Sequence, residues 1–146
     1  MTGSNLGNVL LGLHILGAVL WVGGMAFAIL VLRPSLAVLA PADRLALHRT
    51  VFRRFFLLIW HAMPVVLATG YAMVAVVYGG FAHVGWNVNV MHLFGLIMTA
   101  IFLVIFFGPY AALRRGSDAA PVERIRRLVL VNLVLGLLTV FIAALA

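Results

Sequence analysis

Charge is confined to two short regions of this chain. Arg33, Arg44, Arg49, Arg53 and Arg54 flank one connection, and Arg114, Arg115, Arg124, Arg126 and Arg127 flank another. These arginines are the whole Lys+Arg complement of ten, because the chain has no lysine. Outside the two regions run apolar stretches, each near the roughly 20 residues that a helix needs to cross a bilayer. Segregated arginine marks the cytoplasmic side. Two basic connections on that side and both termini on the other require an even number of spans. The pattern predicts four, over residues 6–32, 52–78, 88–110 and 128–145. The expected fold is an all-α, four-transmembrane-helix bundle with N and C termini outside and basic loops cytoplasmic. It would form a single membrane domain over 1–146, multi-pass in a bacterial inner (cytoplasmic) membrane.

Composition agrees and excludes several function classes. The chain is 66% hydrophobic and 9% charged, whereas a soluble domain is about 25% charged. A net charge of +7 would ordinarily suggest nucleic acid. Here the positive charge serves orientation at the lipid bilayer, and no nucleic-acid partner is expected. The chain has no cysteine, which removes disulfides, thiolate metal sites and cysteine nucleophiles. No basic segment precedes the first apolar stretch, so it reads as a retained span. The chain offers no acid–base pair, nucleophile or phosphate loop. Any enzymatic activity would run through a cofactor, at most as a haem-dependent oxidoreductase.

Local signals place the boundaries. Pro34 disfavours helical geometry at Arg33, so Arg33-Pro34 is expected to end the first span. Pro41 and Asp43 suit a helix start. The basic, amphipathic run 44–55 is either an interfacial helix or the wet first part of span 2. Pro64 predicts a kink. Residues 79–86, glycine-rich and uncharged, read as an external turn, and 116–121 as a cytoplasmic one. Around Gly136 the fourth span offers packing or an oligomer face.

The chemistry is carried by a string that occurs twice. His14-Ile15-Leu16-Gly17 lies in span 1 and His92-Leu93-Phe94-Gly95 in span 3. Asn8-Val9 and the Asn87-Val88 pair precede them, a faint internal repeat. Histidine within a span is costly and usually has a partner or a role. Both histidines fall in the outer half of the bilayer, at depths that agree within about a turn at 1.5 Å per residue. Two imidazoles from separate helices suit the axial positions of a haem iron. The preferred reading is a b-type haem (heme b) protein with His14 and His92 as ligands and an electron-transfer or redox role. Gly17 and Gly95 would clear the porphyrin plane, and Trp21 would wall it. His61, near Arg53 and Arg54, is a third candidate ligand. A dimer is expected, with a quinone or a redox protein as electron partner. Two alternatives stand beside this. One is copper binding or transport through His14, His61 and His92, aided by Met25, Met63 and Met91. The other is a cofactor-free structural subunit whose histidines bond to backbone or neighbouring helices. His48 and His83 fall in connections and read as solvated.

The stretch from Leu13 to Gly24, with His14, Gly17, Trp21 and Gly23-Gly24, resembles the first-span signature shared by CopD-domain copper-resistance membrane proteins and HemJ-type protoporphyrinogen oxidases. Phe52-Arg53-Arg54-Phe55, Thr69-Gly70 and Gly85-Trp86 extend the resemblance over most of the chain. It implies a four-helix membrane fold, with haem b on His14 for a HemJ-like protein or copper handling for a CopD-like one. Both families carry a lysine near the start of the third span. This chain has none, and His92 stands in that neighbourhood, which favours a second axial ligand.

Overall fold

The computed structural model describes residues 2–116 and 118–145, with side chains from Asn5 onward. Ser117, in the turn expected at 116–121, lies outside the described residues. Four helices are long and apolar enough to cross a membrane: span 1 (Asn5–Val38), span 2 (Pro41–Val76), span 3 (Trp86–Arg115) and span 4 (Ala120–Ala143). No strand occurs among the described residues. Short connections make neighbours antiparallel, so both arginine-bearing connections fall at one end. Spans 1 and 2 pack tightly as one hairpin and spans 3 and 4 as another. The hairpins meet more lightly, through spans 1 and 4 and through spans 2 and 3, leaving spans 1 and 3 diagonal.

Arg33-Pro34 does not end span 1. Arg33 is helical at φ −55° and ψ −54°, and the chain stays helical to Val38. The reason lies one turn earlier. Ala28–Leu32 is a π-turn, and the N–H of Arg33 reaches back five residues to Ala28 O. This wider turn gives room to a proline ring, which in a regular α-turn crowds the carbonyl four residues earlier. A second π-turn, Phe106–Tyr110, takes up Pro109 in span 3. The repeat is therefore in register: His14 precedes Ala28, and His92 precedes Phe106, by the same interval of fourteen positions.

Span 2 is one helix of 36 residues that continues through Pro64. At 1.5 Å per residue it is about 54 Å long, against roughly 30 Å of hydrocarbon. The run 44–55 is thus the first part of the span 2 helix and not a separate one.

The core is densest toward the arginine end. Phe56 packs edge-on to Tyr110 with ring centroids 4.7 Å apart, and Phe102 and Phe106 complete the cluster. In lipid such packing, rather than exclusion of water, holds helices together, and each aromatic pair contributes about 0.5–1.5 kcal/mol. Above this cluster, a Cβ on Gly136 would lie 2.8 Å from Val22 and 3.2 Å from Met98. Gly136 is therefore an internal contact between spans 4, 1 and 3, not an oligomer face. Beyond it the two hairpins separate.

Candidate metal centre

The separation leaves a cavity of about 660 Å³ at the end opposite the arginines, reached by all four spans. Its walls are apolar except for His14, His92, Tyr71, Tyr78 and Thr139. Leu11, Ile15 and Val19 of span 1 and Leu137 and Val140 of span 4 line it while also facing outward. The cavity is consequently open sideways, between spans 1 and 4.

Each histidine is oriented by a backbone carbonyl. His14 Nδ1 lies 2.9 Å from Val66 O and 3.1 Å from Thr69 Oγ1. Thr69 Oγ1 donates its own proton to Val65 O at 2.6 Å, which leaves it able to accept. His92 Nδ1 lies 2.9 Å from Val88 O. A carbonyl only accepts, so these partners assign the ring proton to Nδ1 in both residues. Nε2 then carries the lone pair. This is the arrangement that metal-binding histidines use, with the distal N–H tied to a carbonyl and the other nitrogen presented to the metal. His92 Nε2 is buried and has no hydrogen-bond partner. Tyr71 and Phe81 hold the His92 ring edge-on, each with centroids 5.1 Å away.

Gly70 of span 2 brings the two rings together. A Cβ there would lie 3.2 Å from His14 Cε1, 3.6 Å from His14 Nδ1 and 3.7 Å from His92 Nε2. His14 Cε1 and His92 Nε2 are therefore within about 7 Å of each other, while two nitrogens sharing one metal sit about 4 Å apart. Among the described residues no group of three His, Cys, Asp or Glu lies close enough together to hold an ion, so the cluster here is the pair His14 and His92.

The other residues singled out from sequence fall as follows. Trp21 is 3% exposed and forms part of the cavity wall. Gly95 also lines the cavity, and a Cβ there would meet nothing within 4 Å. Gly17 is used differently: a Cβ there would lie 2.5 Å from Val66 Cγ2, so it permits close approach of spans 1 and 2. His61 is exposed on the outside of span 2, with Nδ1 2.8 Å from Leu57 O of its own helix, and it does not line the cavity. His48 is half-buried and stacks on Phe52, whereas His83 is exposed. Tyr71 and Phe81 carry no signal in the spacing. Thr69 and Gly70 stand out only as a small polar pair inside an uncharged span.

The family model described as Copper resistance protein D matches residues 49–146. The match takes in spans 3 and 4 and most of span 2, with Gly70 and His92, and leaves His14 outside it. No curated protein and no solved structure matches the chain.

Proposed function

The chain belongs to the copper resistance protein D family, and from that premise we propose a multi-pass membrane protein that holds one redox-active metal centre between His14 and His92. The observation that carries this is the convergence of two carbonyl-oriented imidazoles on the bare backbone of Gly70, one with a buried, unpartnered Nε2. Burying a polar nitrogen without a partner is costly, and a metal would satisfy it.

Haem b fits the residues best. A bare ion needs only the space between two nitrogens, but the cavity measures about 660 Å³, within the range of cofactor sites. Two imidazoles leave four coordination positions for a porphyrin to fill. When bound, the haem iron would supply one-electron transfer. The chain's own contribution is positional. Val66, Thr69 and Val88 fix the rings, Gly70 leaves their near side bare, Gly95 leaves open space in the cavity wall, and the walls are apolar. The sideways opening between spans 1 and 4 suits a lipid-soluble electron partner such as a quinone. Tyr71, Tyr78 and Thr139 are the further polar side chains in the lining, which holds no arginine among the described residues.

Copper is the second reading. The family description favours it, as do Met73, Met91 and Met98, which line the same cavity. Thioether and imidazole together suit Cu(I).

The test is the protein purified in mild detergent, examined by visible absorption and by metal content. A Soret band with sharp reduced α and β bands supports haem. Colourless protein with one copper per chain supports the second reading. Colourless and metal-free protein that takes up neither hemin nor Cu(I) overturns both.

A further inference from the structure

A second cavity, also of about 660 Å³, lies at the arginine end between spans 1, 2 and 4. Residues of the widened π-turn Ala28–Leu32, together with Pro34, form one of its walls. Its charge comes from all three spans: Arg33 from the first, Arg44 from the second and Arg126 from the fourth, with the His48 ring beside Arg44. Glu123 is the single acid in the lining, and it is already engaged by Arg126 and Arg127. Arg44 gives Nη2 to Leu39 O at 3.0 Å, but its Nε is buried without a partner, as are Arg126 Nε and His48 Nδ1. Three nitrogens of a concave basic site thus lack partners on a face that the positive-inside rule puts against the cytoplasmic leaflet. The rest of the lining, including Leu30, Phe52 and Val129, is apolar.

We propose that this cavity binds the phosphate headgroup of an anionic phospholipid from the cytoplasmic leaflet. The ligand chemistry is a phosphate ester joined to an apolar chain. Basic pockets between membrane helices on this side take such headgroups. A free phosphate would use only the basic half, while a lipid also covers the apolar wall. The site stands apart from the two histidines and does not depend on what they hold.

The probes are dioleoyl phosphatidylglycerol, dioleoyl phosphatidylcholine and inorganic phosphate, each added to the full chain in detergent. Native mass spectrometry counts bound lipid, and thermal denaturation reads stabilisation. One phosphatidylglycerol should be retained per chain in preference to phosphatidylcholine, and inorganic phosphate should neither stabilise nor displace it. Arg126→Gln should weaken retention roughly five-fold. Arg124→Gln, the same charge change on an exposed residue outside the cavity, should leave it unchanged. Arg44→Gln gives a second variant where Arg126→Gln misfolds. Equal retention of the two lipids, equal losses in the Arg126 and Arg124 variants, or displacement by inorganic phosphate alone would each overturn the assignment.

Discussion

Gly70→Ala is the most informative single change. The added Cβ would stand 3.2 Å from His14 Cε1, so the ring must retreat by a few tenths of an ångström. His14 is not free to do so, because Nδ1 is held at 2.9 Å by Val66 O and at 3.1 Å by Thr69 Oγ1 on the same helix. Retreat stretches a bond worth about 1 kcal/mol, and crowding a packed site adds about 1 kcal/mol or more. In the metal-free chain the ring escapes by giving up the Val66 bond, about 1 kcal/mol, which the better helix propensity of alanine offsets by about the same amount. A bound metal holds the ring in place, so the bound state keeps the crowding as well and affinity falls by about 1 kcal/mol or more, roughly five-fold or more. The expected outcome is therefore selective: a little-changed denaturation midpoint with weakened binding. Titration of the metal-free chain with hemin and, separately, with Cu(I) measures it, with Gly70→Leu as the stronger variant. Wild-type affinity in both variants would refute the reasoning, because the two rings would then not depend on bare backbone at position 70.

Gly95→Ala separates the two cofactor readings. A Cβ there meets nothing within 4 Å, so the free protein should gain up to about 1 kcal/mol in thermal denaturation. Hemin affinity should fall at least several-fold while Cu(I) affinity stays constant; the reverse pattern would favour copper. His61→Ala should leave spectrum and metal content unchanged, because that side chain faces outward and bonds within its own helix. Asn132 is 2% exposed with Oδ1 unpartnered, so Asn132→Leu should raise stability by about 1 kcal/mol, read as a higher midpoint with unaltered ligand binding.

The four-span bundle was legible in the arginine positions, since only one arrangement of four spans gathers them at one end. The shared depth of His14 and His92 was also legible, because residue counts along two helices running the same way convert directly into height. What spacing could not give was anything that depends on a neighbouring helix. Gly17 and Gly95 occupy equivalent places in the two strings, yet Gly17 packs against Val66 while Gly95 faces open space. Gly70 lies on a third helix, and its importance arises only when the others close around it. Gly136 reads equally as an inner or outer face until Val22 and Met98 are placed. Pro34 gave the wrong helix end because the rule for prolines assumes a regular α-turn. The chain instead widened the preceding turn, and residues of that turn line the cavity at the arginine end.

X-ray absorption on the metal-loaded protein tests the central claim most directly, because it counts the imidazoles bound to the metal. The account predicts two in the wild type, and one or loss of the metal in each of His14→Ala and His92→Ala. A metal bound with unchanged imidazole count in either variant would contradict it.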